Sequence, residues 1–327
     1  MTKENIGNKA KAKIVVILGP TASGKTGLAV QLAMAFNGEI VSADARQVYR
    51  GMDIGTSKDL NEYQTNGRSI PYHLIDVADP QASFDLAQYQ KMAFEAIDDI
   101  ISRKKLPILC GGSGLYLQAV VDNYQLNSIE PDKKLREKLE TKDVSWLLKE
   151  IAKLDQDFFS NLNESERNNK RRLIRYFEVL YYKNNNDKEI KNGMENIGNK
   201  GEQLYDPLII GLSWPIEELR VRIKQKLLLG LDQGMVKEVK KLHEQGLDWQ
   251  RLDSFGLEYR YLAKYLQGEL EYDEMREQLN LAIGQFAKRQ ISWFRRWEKQ
   301  GININWLKNV DVKKEATQLL RDFLGRK

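Results

Sequence analysis

Residues 19–26, GPTASGKT, carry the spacing G-x-x-x-x-G-K-[ST]. Glycines at 19 and 24 let successive backbone N–H groups turn inward, and a helix that follows aims its partial positive end at the same point. Lys25 adds a mobile charge for terminal phosphates, and the Thr26 hydroxyl suits a magnesium ion bridging them. The motif predicts a phosphate site without naming a reaction, since kinases, hydrolases and motors share it. Each usually needs a second acidic group for magnesium or for the nucleophile, and two aspartates follow apolar runs. Asp44 can hold magnesium through water, accept a proton from an attacking group, or cap a helix. Asp76 can stand in for the acid of a nucleotide hydrolase or serve as a loop cap. Gly111-Gly112-Ser113-Gly114 is either a second ligand-facing glycine turn or simply a tight turn.

The positioning elements are legible as periodicity. Apolar strands are predicted at Ile14–Leu18, Glu39–Ala43, Tyr72–Val77 and Leu106–Cys110, with helices from Lys25 to about Phe36 and from about Phe84 to Arg103. Such alternation predicts an α/β fold, a P-loop NTPase-like parallel sheet flanked by helices. Leu208–Leu212 is expected to rejoin that sheet. Asp44 and Ser113 then fall at its carboxyl edge, where open α/β sheets bind ligands. Between these parts the chain turns charged and helical (Asp132–Leu139, Ser145–Leu154, Asn168–Tyr182), which predicts an all-helical insertion domain. It ends in the polar stretch 184–203, NNNDKEIKNGMENIGNKGEQ, read as a flexible loop. A long amphipathic helix is predicted at Tyr272–Lys299, then a strand at Ile302–Trp306 and a helix at Lys313–Leu324. The expected division is a flexible N-terminus at 1–12, a first core part at 13–121, the insertion at 122–204 and a return to the core at 205–327. The hexapeptide ENIGNK recurs at 4–9 and 195–200 and is read as coincidence.

At 327 residues, with 42% hydrophobic and 30% charged, the chain is long enough for two units and too apolar for wholesale disorder. A single cysteine, Cys110, excludes an internal disulfide. With only His73 and His243 beside it, a Cys/His zinc site is excluded too, which leaves a hard ion on oxygen ligands. No apolar run is long enough to span a bilayer and the first residues lack the apolar core of a signal peptide, so the expectation is a cytoplasmic protein with no membrane partner. The net charge of +5 permits a nucleic-acid partner where basic residues are grouped.

GPTASGKT, SADARQVYRGMDIGTSK (42–58), YHLIDVADP (72–80), ILCGGSGLYL (108–117), RRLIRYFEVL (171–180) and AKRQISWFRRW (287–297), in this order, closely resemble the bacterial tRNA dimethylallyltransferases. The resemblance runs from about residue 13 to about 298. It implies transfer of a dimethylallyl group from its diphosphate to the exocyclic amine of the adenosine 3′ of the anticodon, with diphosphate leaving. It implies magnesium (Mg2+) on Thr26, diphosphate at Gly19, Thr21, Ala22, Ser23, Gly24, Lys25 and Thr26, Asp44 as the base, and Lys226 as a further catalytic cation. Gln47 and Ser113 are implied as substrate contacts. Arg167, Lys170, Arg171, Arg172, Arg175, Lys288, Arg289, Gln290, Arg295 and Arg296 are implied on the tRNA side, with the insertion gripping the anticodon stem-loop of a monomeric enzyme. For Trp293 and Phe294 helical spacing favours the core.

Several positions depart from the family's pattern. Ile283-Gly284 stand where Thr-Arg is usual, Gly256-Leu257-Glu258-Tyr259 where Gly-Tyr-Arg-Glu is usual, and Asn169 replaces an aspartate. Ser113 replaces a threonine but keeps the hydroxyl. Lys226 replaces an arginine whose bidentate fork lysine lacks. Competing readings are a P-loop small-molecule kinase, which leaves the basic C-terminal half surplus, and a prenyltransferase of free adenine nucleotides, which needs no stem grip. A non-catalytic RNA-binding protein has no use for both Lys25 and Asp44.

Overall fold

The computed structural model describes residues 11–65, 67–126, 129, 131–185, 200–308 and 311–326. The expected flexible N-terminus, most of the polar loop at 184–203 and nearly all of both ENIGNK copies lie outside them. The chain divides into one unit formed by residues up to Asp122 and from Gln203 onward, and a second from Asn123 to Glu202.

The first unit is built on a six-stranded sheet, order β5-β2-β6-β1-β7-β8, every pairing parallel. Its strands are β1 (Ala12–Leu18), β2 (Gly38–Ser42), β5 (Tyr72–His73), β6 (Leu106–Gly111), β7 (Tyr205–Ser213) and β8 (Asn305–Lys308). A small antiparallel pair, β3 (Gln64–Thr65) and β4 (Arg68–Ser69), stands apart. The central β1 is apolar along both faces because helices cover both. Val15 and Ile17 pack with α1 (Lys25–Ala35) and α14 (Val312–Gly325). Ile14, Val16 and Leu18 pack with α2 (Leu86–Ser102), α3 (Gly114–Val121) and the end of α13 (Tyr272–Lys299). Asp85 starts α2 with a capping box closed by Gln88. Helices α9 (Ile216–Asp232), α10 (Met235–Glu244), α11 (Trp249–Ser254), α12 (Leu257–Leu266) and α13 form a further apolar cluster with Val48, Tyr49 and Met52. Among the described residues no helix is long and apolar enough to cross a membrane.

The expected strand Tyr72–Val77 is cut to two residues. Leu74 and Asp76 take φ of 63° and 58°, outside the extended region, and Asp76 turns back to pair with the buried Lys58 ammonium. That knot, which also takes in Asp53 at 2.7 Å and the Tyr49 carbonyl, gives Asp76 a structural task.

The amino end of the sheet is fastened by charge. Glu39 on β2, with a side chain 2% exposed, accepts from Arg103, lies 2.6 Å from the Lys105 ammonium and 2.8 Å from His73 Nε2. Its carboxyl is held well below the usual range, by the Arg103 hydrogen bonds first and against the opposing effect of burial. A depressed folded value means that this stabilisation is fully present above the unfolded value of 4.5 and fades as pH falls through the lower folded value. Glu39→Gln is expected to lose about 2 kcal/mol at neutral pH. Urea unfolding at stepped pH should show the gap from wild type closing below about pH 4; a pH-independent gap would assign the loss to packing.

The second unit is all helical: α4 (Lys133–Glu140), α5 (Val144–Leu154), α6 (Gln156–Asn161), α7 (Glu164–Arg167) and α8 (Lys170–Asn185). Asp132, Asp143, Asp155 and Asn163 cap α4 to α7 in turn. Its core joins Leu147 and Ile151 of α5 to Leu173, Ile174, Phe177 and Leu180 of α8. Within that core lies Glu178. Burial favours its neutral form, but hydrogen bonds from Arg136 and Arg175 outweigh this and keep it below its usual value.

Candidate active site

The phosphate loop leaves the carboxyl end of β1 and enters α1 through Gly24, whose φ of +87° a side chain would resist. Beside it opens a cavity of about 230 Å³, lined by Thr21, Ala22, Lys25 and Thr26 of the loop, by Asp44 and Gln47 beyond β2, by Ser113 beyond β6, and by Lys226 of α9. Parallel order makes this convergence: β1, β2 and β6 are neighbours, so their carboxyl ends open on one edge.

Hydrogen bonds hold the walls. Asp44 Oδ1 accepts from the Arg46 N–H at 3.0 Å, and Ser113 Oγ accepts from the Ala45 N–H at 3.1 Å. Gln47 accepts from Ser42 Oγ at 3.0 Å and donates to the carbonyls of Thr56 and Ser57 at 3.3 and 3.2 Å, bracing the loop after β2. Glu238 of α10 fixes the next turn by accepting the N–H groups of Asp53, Ile54 and Gly55 at 2.7–3.0 Å. Gln290 was expected to face tRNA. It is buried, with Oε1 accepting from the Thr21 N–H at 2.8 Å and Nε2 donating to the Gly112 carbonyl at 2.9 Å. It ties the phosphate loop to the second glycine turn, where a Cβ on Gly112 would meet it at 2.5 Å. That close approach gives the turn a physical reason beyond tightness.

Burial draws the Lys25 ammonium below its ordinary value, an effect that nearby Asp44 opposes. An anion arriving in the cavity supplies the missing partner. Burial pushes the Cys110 thiol up to about 12, so this cavity residue is a neutral thiol and no nucleophile. For magnesium the donors are hard: the Thr26 hydroxyl and, across the cavity, the Asp44 carboxylate. Among the described residues no cluster of three or more His, Cys, Asp or Glu side chains could hold a metal. The set fits a magnesium ion that takes most of its ligands from substrate phosphate and water.

Ser23, placed by sequence in the diphosphate shell, does not line this cavity. It is 2% exposed, and its hydroxyl, without a hydrogen-bond partner among the described residues, lies where a Cβ on Gly19 would be 2.7 Å away. Lys226 lines the cavity with its ammonium 2.8 Å from Asp59. One turn earlier on the same helix face stands Arg222, which sequence reasoning passed over. Its Nε donates to the Ala22 carbonyl at 3.0 Å, and its guanidinium lies 4.0 Å from the Trp214 ring, whose N–H holds the Ser23 carbonyl. The i, i+4 spacing from Lys226 was the available signal. Asp76 does not line the cavity, so it is not placed there as the acid of a nucleotide hydrolase.

The basic stretches divide. In the second unit Arg167 donates to the carbonyls of Leu162 and Phe159, Arg175 is held by Glu178 and the Ile129 carbonyl, and Lys170 reaches the Glu140 carbonyl at 2.6 Å. Arg171 and Arg172 are exposed, Arg172 with its guanidinium 3.9 Å from Glu166. On α13, Lys288, Arg289, Arg295 and Arg296 share one exposed face, while Phe294 and Trp297 are buried. Trp293 is partly buried against Gly114 and donates to Gln118 at 2.7 Å.

A parallel sheet that gathers a phosphate loop, a neighbouring aspartate and a second glycine turn at its carboxyl edge defines an α/β protein of the P-loop fold. The profile of the family described as IPP transferase matches residues 47–297, and the chain belongs to that family. It is 44% identical over 323 residues to the tRNA dimethylallyltransferase 2 of Citrifermentans bemidjiense, covering 98% of this chain and 99% of that one. It is 43% identical over 307 residues to the tRNA dimethylallyltransferase 1 of Syntrophus aciditrophicus, covering 94% and 97%. Among solved structures, the full-length tRNA isopentenylpyrophosphate transferase from Bacillus halodurans matches with a TM-score of 0.67 at 33% identity over 96% of each chain. A eukaryotic dimethylallyltransferase described as acting on tRNA matches with a TM-score of 0.80 at 25% identity, over 96% of this chain and 79% of that one.

Proposed function

We propose that the chain transfers the dimethylallyl group of dimethylallyl diphosphate to the exocyclic amine of the adenosine 3′-adjacent to a tRNA anticodon, releasing diphosphate. The observation that carries this reading is the single cavity in which Lys25 and Thr26 of the phosphate loop meet Asp44. The allylic C–O bond breaks and its electron pair leaves on the diphosphate, while the amine forms the C–N bond and gives up a proton. The loop N–H groups and the Lys25 ammonium stabilise charge as it develops on the departing oxygens. Asp44 orients the amine by accepting its hydrogen and then takes the proton. Magnesium, held by Thr26 and the diphosphate oxygens, would neutralise leaving-group charge. The adenine leaves its stack to reach a site at the sheet edge, and cations outside the cavity bind the flanking phosphates.

The test is incubation of the purified protein and magnesium with labelled dimethylallyl diphosphate, with a tRNA pool or with free adenine nucleotides, and in parallel with labelled ATP and small acceptors. Label entering tRNA is the expected result. Label entering only the free nucleotides, or movement of the ATP terminal phosphate instead, would replace this reading.

Since Arg167 and Arg175 are engaged within their own unit, the exposed Arg171 and Arg172 are, among the described residues of α8, the pair placed to take phosphate. Replacing both by alanine is expected to weaken tRNA binding and to reduce the slope of log affinity against log salt by roughly one to two. An unchanged slope would remove the pair from the RNA backbone.

A further inference from the structure

Arg46 leaves the same turn as Asp44 and lines the same cavity. Its backbone N–H holds Asp44 Oδ1, and its side chain runs to α12 and α13, where three features are fitted to it. Nη1 lies 3.5 Å from Glu258 Oε2, with the two side chains 29% and 19% exposed. Cζ lies 5.5 Å from the centre of the Phe286 ring. Gly256, at φ +130°, leaves room for the guanidinium, since a Cβ there would be 2.0 Å from Cζ. Burial raises the Glu258 carboxyl above its usual value, an effect that Arg46 opposes. A guanidinium carries five N–H donors. The Glu258 contact is at the outer limit of a hydrogen bond, and the remaining donors have no protein acceptor among the described residues.

We propose, resting on the transferase reading above, that the Arg46 guanidinium donates to a ring nitrogen of the acceptor adenine, and that Glu258 is the positioning residue that aims it. Next to its amine donor adenine presents a ring-nitrogen acceptor on either side, N7 or N1, whereas guanine presents the O6 acceptor beside the N7 acceptor on one edge and beside the N1–H donor on the other. Asp44 and Arg46, an acceptor and a donor on one turn, are the complement of the adenine pattern and oppose that of guanine. The Glu258 carboxyl beside it makes the Arg46 guanidinium a poorer anchor for diphosphate than an unpaired cation, and a better partner for a neutral base edge. Diphosphate has its own cation in Lys25.

The test uses anticodon stem-loop RNAs bearing adenosine, 7-deazaadenosine or 1-deazaadenosine at the acceptor position, with wild type, Arg46→Lys and Glu258→Gln. Arg46→Lys keeps a charge beside Glu258 and lacks the planar fork, so the fold is retained, with the melting temperature as control. The expected result for Arg46→Lys is a rise of about 10–100-fold in Kd and KM for the adenosine RNA, with KM for dimethylallyl diphosphate unchanged. One deaza RNA should bind wild type comparably weakly and lose no more with Arg46→Lys, because the contact is already gone. Glu258→Gln should show the same pattern in smaller degree. Equal losses on all three RNAs, or a rise in KM for the diphosphate instead, would overturn the assignment. If wild type transfers nothing to any RNA, the transferase reading fails, while the Kd comparison still decides Arg46.

Discussion

Asp44→Ala is expected to lower turnover roughly 10²–10⁴-fold, the usual contribution of a positioned general base, and to leave tRNA binding within about twofold, since phosphate contacts outside the cavity supply most of the affinity. The exocyclic amine of adenine is a poor nucleophile, so its attack gains from a carboxylate that takes up hydrogen as the C–N bond forms. Among the described residues Asp44 and Glu258 are the carboxylates that line the cavity, and Asp44 Oδ1 is already fixed by the Arg46 N–H. Asp44→Asn separates charge from shape, because the amide oxygen can keep that bond but cannot take a proton. Single-turnover transfer with enzyme in excess over tRNA measures the chemical step. Full turnover in both variants would remove Asp44 from the reaction, and loss in the alanine variant alone would make its role steric.

Lys25→Ala is expected to reduce single-turnover transfer by about 10²–10³-fold, the loss that follows removal of one donor to a developing oxyanion. Among the described residues the Lys25 ammonium donates only to the Pro20 carbonyl, at 3.5 Å, and burial disfavours its charge. It therefore gains most when the departing diphosphate accumulates charge beside it. KM for dimethylallyl diphosphate should rise as well, while the Kd for tRNA stays put. Loss of tRNA affinity with an unchanged chemical step would place Lys25 on the RNA instead.

The fold was largely legible because its signals are local. Predicted and observed helices coincide at Tyr272–Lys299 and differ by a residue or two at α1, α2 and α5. Apolar runs at 14–18, 106–110 and 208–212 became β1, β6 and β7, extended by two, one and four residues. The strand that failed, Tyr72–Val77, did so where a distant group intervened: the buried Lys58 turns Asp76 out of the extended region.

The sequence by itself determined what depends on spacing along one element. The loop motif is eight contiguous residues, Asp44 follows its strand within two residues, and the family resemblance rests on such stretches. The tertiary structure alone decided which side chains keep their charge for a ligand and which give it to the protein. Gln290 reaches Thr21 across 269 positions, Arg222 reaches Ala22 across 200, and Arg46 meets Glu258 across 212. Arg167 and Arg175 look the same as Arg171 in the sequence, yet their donors are taken by nearby carbonyls and Glu178. A hydrogen bond of about 3 Å is set by where sheet order and helix packing bring two elements, and no local periodicity carries that information.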